Sequence, residues 1–193
     1  MKKTILILLI AGLLHHPATA QKLKTLPDNA PSSFATELNK LLADARFDFK
    51  NTTDNQKPGT QDEILSSYYS KLQLPLADSS FMEEALDDLL ETYHQFIASF
   101  GHYPTQEAAK ANFNKIIQYI DKGKYSEGLL QKSPIEEKDK TLLQLWSLKT
   151  HKPSNAFTKV ELTMTERKIW PASSSKPELA WIIELCVFED GGF

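Results

Sequence analysis

The sequence predicts a single α+β domain, an antiparallel sheet with two helices packed on one of its faces. Three observations carry that expectation. Two stretches repeat apolar residues at helical spacing between recognisable start and stop residues. The last third alternates apolar and polar side chains with the period of two expected of half-buried strands. The connections between these stretches collect Pro, Gly, Ser and Asn. Hydrophobic residues make up 41% and charged residues 24% of the 193, which is ordinary for a globular chain able to bury a core without staples.

The N-terminus reads as an export signal. Lys2 and Lys3 form a positive n-region, Thr4 to Leu14 is almost wholly apolar, and His15, His16 and Pro17 end that run. Ala18-Thr19-Ala20 then supplies the small-x-small pattern of a cleavage site, with Gln21 as the new first residue. A bilayer-spanning helix needs about 20 apolar residues, and this run is shorter. No Cys stands directly after the cleavage site and no second long apolar run follows. The expected product is a soluble periplasmic or secreted protein with no stable membrane insertion after cleavage. Residues 1–20 are assigned to the signal, 21–30 to a flexible polar lead, and 31–193 to the domain.

Pro31-Ser32-Ser33 opens the first helix, and Phe34, Leu38, Leu41, Leu42, Ala45 and Phe49 form its apolar stripe. Asn51 to Thr60, containing Pro58-Gly59, reads as a polar loop; its Asn51-Thr52-Thr53 sequon matters only in a host that glycosylates. Ile64 to Leu74 reads as a strand. Thr105 is a good N-cap for the second helix, whose stripe is Ala109, Phe113, Ile116, Ile117 and Ile120 before Gly123. Lys122 to Lys140 reads as a solvated connection. Strands are expected over Leu142 to Leu148, Phe157 to Glu166 and Leu179 to Glu189, the last of them central because Trp181, Ile183, Leu185 and Val187 share one face.

Residues 82–100 support two patterns. Met82, Ala85, Leu86, Leu89, Leu90, Tyr93, Phe96, Ile97 and Phe100 fit a helical stripe, with Ser80 and Glu83 as a capping box. Leu90, Thr92, His94, Phe96, Ala98 and Phe100 fit one face of a strand. Phe34-Ala35-Thr36-Glu37-Leu38 running to Asp48-Phe49, Tyr69 to Pro75, Val160-Glu161-Leu162, and Pro177 to Trp181 running on to Phe188-Glu189-Asp190 together resemble small exported proteins of Bacteroidetes-type bacteria. That group has no known activity. The resemblance spreads over most of the mature chain without a catalytic motif, and it implies the order helix, two strands, helix, three strands. Leu89 to Phe100 is then a strand, and the sheet has about five strands in the order α-β-β-α-β-β-β.

Chemistry is sparse. Removing Lys2 and Lys3 takes the formal charge from −3 to −5, and Arg46 and Arg167 are the chain's two arginines. Nucleic-acid binders present a basic face, so no nucleic-acid partner is expected. The lone Cys186 allows no internal disulfide and reads as an apolar filler of its strand. His94, His102 and His151 lack the paired spacing of metal ligands, so neither a metal nor a cofactor is expected. No Gly-x-Ser-x-Gly elbow occurs, and Ser173-Ser174-Ser175-Lys176 sits in a Pro-flanked loop rather than at a helix start. The acidic pairs Glu83-Glu84, Asp87-Asp88, Glu136-Glu137 and Glu189-Asp190 read as solvated surface. No catalytic residue is assigned.

The aromatics are the remaining signal. Several strands carry apolar residues in both registers, so the sheet face away from the helices is either covered or used for binding. Tyr68, Tyr69, Tyr93 and Trp146 are the expected ligand-binding residues, with core packing as the competing role. Three functions fit: a non-catalytic binding or adaptor module of the periplasm or cell envelope, whose partner is an envelope protein or a small ligand; a hydrolase acting on envelope or extracellular polymers through dispersed carboxylates or His94; and an assembly protein that forms a homodimer through its sheet.

Overall fold

A computed structural model describes residues 24–62, 65–86, 92–150, 158–170 and 176–189. The expected signal peptide, with the cleavage-site residues Ala18, Ala20 and Gln21, lies outside them. The elements run α1 (Ser32–Ala45), β1 (Thr53–Asp62), β2 (Leu65–Ser70), β3 (Ser79–Leu86), β4 (Thr92–Tyr103), α2 (Gln106–Lys122), β5 (Leu129–Lys132), β6 (Glu136–Lys138), β7 (Thr141–Lys149), β8 (Thr158–Ile169) and β9 (Glu178–Glu189). They form one antiparallel sheet in the order β1-β2-β3-β4-β9-β8-β7-β5, with β6 also paired to β7. Both helices touch β9 and each other.

The expectation of about five strands is corrected: the described residues form nine. The additional strands are β1, β3, β5 and β6, and each hides for a physical reason. β1 is an edge strand whose register with β2 shifts twice. Pro58 is tolerated there because an edge strand has one unpaired side, and its polar sequence blunts the edge. β5 and β6 are short strands flanking β7, and their mostly exposed residues show no alternation. In β3 and β4 both faces carry apolar residues: Phe96 pairs with Met82 on the core side, while Ile97 pairs with Phe81 on the other. Two apolar faces in register imitate a helical stripe, which explains the helix-like pattern over 82–100 and the overlooked β3.

The core forms between the helices and one sheet face. Its central row crosses seven strands through the paired residues Tyr68, Met82, Phe96, Val187, Val160, Trp146 and Lys132. The five from Met82 to Trp146 are fully buried. β9 lies between β4 and β8 at the middle of this row. From above, Phe34 of α1 packs edge-on against Tyr119 of α2, ring centroids 5.5 Å apart, and against Phe100 of β4 at 6.5 Å. Gly101, at φ +113°, forms an irregularity in the β4–β9 pairing. The extra residue reverses the alternation, so Phe100 and Tyr103 are both buried while His102 faces solvent.

Side-chain ties close the layers. Thr105 Oγ1 accepts from Ala108 N–H at the start of α2. At its far end, the Tyr125 hydroxyl donates to Ile120 O at 2.9 Å; a Cβ on Gly123 would collide with that phenol. Trp146 Nε1 donates to Asp121 Oδ1 at 2.9 Å, joining β7 to α2. The lead is held against α2 as well: Leu26 is buried, its N–H donates to Asn112 Oδ1 at 2.7 Å, and Lys115 Nζ donates to Leu26 O.

α1 ends at Ala45, and the chain reverses through Arg46 to Thr52. Asp48 and Phe49 both occupy the left-handed region, at φ 57° and 53°. That brings Phe49, the last residue of the expected helical stripe, into the core from outside the helix. The buried Asp44 carboxylate holds the reversal: Oδ1 accepts from Asn51 N and Nδ2, and Oδ2 accepts from Thr52 N and Oγ1 at 2.7 and 2.6 Å. Removing those acceptors strands buried donors, each a loss of about 1–3 kcal/mol. Asp44→Ala is therefore expected to lower stability by about 2–4 kcal/mol in urea denaturation, with more of it recovered by Asn than by Leu at this position.

Candidate functional site

The expected aromatic site does not assemble. Trp146 is 1% exposed, on the core face, with its indole bonded to Asp121 and Lys132 Nζ 6.0 Å from its ring centre. Tyr68 is half-buried on the same face but at the far end of the row, its hydroxyl 3.1 Å from Glu84 Oε2. Tyr69, one residue on, points to the opposite face and is 48% exposed. Tyr93 pairs with Ala85 in the sheet, and its side chain lies outside the described residues.

The face away from the helices is a mixed surface. One row across it pairs Tyr69, Phe81, Ile97, Cys186, Glu161 and Leu145. Its inner members are half-buried by their neighbours, and polar groups interrupt the apolar ones. Gln95 Nε2 lies 3.2 Å from Glu83 Oε2, and Arg167 pairs with Glu184 at 3.1 Å. The Cys186 thiol donates to Gln95 Oε1 at 3.1 Å. Burial, and then the carboxylates of Glu161, Glu83 and Glu184, push its pKa well above the ordinary thiol value. A thiol kept protonated is a poor nucleophile. Glu161 is itself held above the usual carboxylate range by burial, which Lys159 partly offsets.

The histidines are dispersed. His94 Nδ1 lies 2.7 Å from Asp48 Oδ1, and its ring centre is 6.4 Å from that of Tyr68. Glu84 is its cross-strand partner. Burial and the Asp48 carboxylate raise the pKa of Glu189. His102 is exposed, and His151 lies outside the described residues, as do Ser173 to Ser175. Among the described residues no group of three or more His, Cys, Asp or Glu is placed to hold a metal ion. No described helix is long and apolar enough to cross a membrane.

A concave site forms instead at the end of α1. It is a cleft of about 380 Å³. Lys40, Ala43 and Asp44 come from the last turns of α1, Arg46, Phe47, Asn51 and Thr52 from the reversal, and Lys71 and Leu72 from the exit of β2. Two ties shape it. Asp44 pins Asn51 and Thr52, as above, and Lys71 N donates to Thr52 O at 2.8 Å, drawing the end of β2 against the start of β1. The sequon amide of Asn51 is thereby engaged, 2.6 Å from Asp44 Oδ1.

Arg46 is the polar centre of the cleft wall. Its guanidinium carbon lies 4.6 Å from the Phe47 ring centre, and Nη1 is 3.5 Å from Glu127 Oε2. Its Nε is buried and makes no hydrogen bond. Phe47 is 51% exposed. The sequence held one sign of this site: Arg46 is one of two arginines, and it follows directly on a helix stripe. Its convergence with Lys40 and Lys71 depends on the reversal and the β1–β2 pairing, neither visible as a local pattern.

These placements give two expectations. Trp146→Ala removes a fully buried indole and is expected to cost about 3–5 kcal/mol in urea denaturation, whereas Tyr69→Ala stays within about 0.5 kcal/mol. Glu161 has a folded pKa above its unfolded value near 4.5. Its contribution is full below that value and is lost as pH rises through the folded pKa. Glu161→Gln therefore raises stability relative to the wild type at pH 7–8, and the gain disappears below about pH 4; melting curves across that range read the crossover. Comparison with family models, with curated proteins and with solved structures finds no match for this chain.

Proposed function

We propose that the mature protein is an exported, non-catalytic binding module of the periplasm or cell envelope that holds a small ligand in the cleft between α1 and the β1–β2 hairpin. The cleft carries this reading. Its volume of about 380 Å³ falls in the usual ligand-pocket range of about 300–1,000 Å³. It combines apolar surface from Ala43, Phe47 and Leu72 with a few convergent polar groups, the composition expected of a recognition site. Export rests on the signal-peptide pattern of residues 1–20.

A hydrolase is the second reading, favoured by the His94–Asp48 contact at 2.7 Å. That pair supplies an imidazole and the carboxylate that orients it, two parts of a general-base site. Among the described residues no Ser or Cys hydroxyl or thiol hydrogen-bonds to His94. The two readings part in one experiment. Immobilised mature protein is incubated with the small-molecule fraction of an envelope extract, and bound and unbound material is analysed by mass spectrometry. The binding reading expects a compound retained unaltered and at least about tenfold depleted from the Ala43→Trp protein, whose indole fills the cleft; such a factor corresponds to about 1.4 kcal/mol of lost binding. Conversion of extract components that ceases in His94→Ala would replace it with the hydrolase.

A further inference from the structure

We infer that the cleft takes a small organic anion, an oxyanion head of carboxylate or phosphate on an apolar body. This deepens the binding reading above and rests on the cleft being the ligand site. The mature chain has a formal charge of −5 once Lys2 and Lys3 are removed, yet three separate elements each bring a basic residue to the mainly apolar lining of this one cavity: Lys40 from α1, Arg46 from the reversal and Lys71 from the exit of β2. One carboxylate, Asp44, lines it, and both its oxygens already accept hydrogen bonds from Asn51 and Thr52. The lining therefore carries a surplus of positive charge.

The C-terminal end of a helix normally repels anions through its unpaired carbonyls. Here the last two of them are occupied: Asp44 O accepts from Phe47 N and Phe49 N, and Ala45 O accepts from Asp48 N. The cations are only partly neutralised. Lys40 meets Glu37 at 2.7 Å on the exposed side of α1, Arg46 is 3.5 Å from Glu127, and Lys71 forms no ion pair among the described residues. Arg46 Nε is buried without a partner; turned toward the cleft, the guanidinium would present a two-pronged donor to an oxyanion, the geometry that arginine supplies and lysine does not. Phe47, Leu72, Ala43 and the lysine stems supply the wall for an apolar body.

The test uses the labelled mature protein and four probes: benzoate, phenyl phosphate, their uncharged analogue benzyl alcohol, and inorganic phosphate. Dissociation constants come from NMR titration, with the Arg46 Nε–H signal as the local reporter. Benzoate or phenyl phosphate is expected to bind at least about tenfold tighter than benzyl alcohol, the stronger of the two naming the head group, and inorganic phosphate more weakly than phenyl phosphate for want of an apolar body. The bound anion shifts the Arg46 signal. Raising NaCl from about 50 to about 500 mM weakens the charged probes and spares benzyl alcohol. Arg46→Gln collapses the preference to within about twofold, while Lys71→Gln, at an exposed position with no fold to endanger, lowers it about threefold by removing a partly screened charge. Equal binding of benzyl alcohol and benzoate, or a preference that survives both substitutions, overturns the inference. If no probe binds while Ala43→Trp still abolishes capture from the extract, the anion assignment fails and the cleft reading stands. If the probes bind Ala43→Trp as well as wild type, both fail.

Discussion

The carboxylate of Asp44 is the constraint on which the active-looking part of this molecule depends. It lies in the last turn of α1, buried, and accepts hydrogen bonds from the backbone and side chains of Asn51 and Thr52. Without it the buried Thr52 hydroxyl would lose its acceptor beneath a packed layer. The clamp lets the chain turn back through two consecutive left-handed residues, Asp48 and Phe49, without losing that turn to solvent. Three consequences share this origin: Phe49 enters the core, Asp48 comes to lie beside His94, and Arg46 with Phe47 is displayed on the wall of a cleft.

The sheet buries its two faces unequally. Hydrophobic burial is concentrated in one lateral row, from Met82 through Phe96, Val187 and Val160 to Trp146, under both helices. The opposite row alternates apolar residues with Cys186 and Glu161, each half-buried by cross-strand neighbours. Burial raises the pKa of both groups, and at Cys186 the carboxylates of Glu161, Glu83 and Glu184 push it further.

How much of this was legible follows from what each residue faces. β7, β8 and β9 were legible because their partners cover one side only, leaving Leu142, Trp146, Val160, Leu162, Met164, Ile183, Leu185 and Val187 alternating with half-exposed positions. α2 was legible because Thr105 and Gly123 stop it at both ends. β5 and β6 were not, since these short strands at the sheet margin stay mostly exposed and need no alternation; β1 was not, since its sequence carries no alternating apolar residues. The expected aromatics divide for a related reason: residue type says that Trp146 and Tyr69 are large, and strand parity alone decides that one is core and the other surface. Gly101 adds a second parity change that local spacing does not announce.

The cleft was illegible for a different reason, and that reason bears on its chemistry. Lys40, Arg46 and Lys71 are spread over 31 positions of sequence and meet only because a clamped reversal and a hairpin bring them together. Mutual repulsion opposes such a gathering on the surface of an acidic chain, where each lysine could extend into water at little loss. Glu37 and Glu127, which pair with Lys40 and Arg46, relieve part of that repulsion and are not among the residues lining the cavity. An anion held against Phe47 and Arg46 would supply the missing counter-charge and the missing partner for Arg46 Nε together. The unmet electrostatic and hydrogen-bonding demands thus converge on one guanidinium, at the point where the fold is most tightly tied.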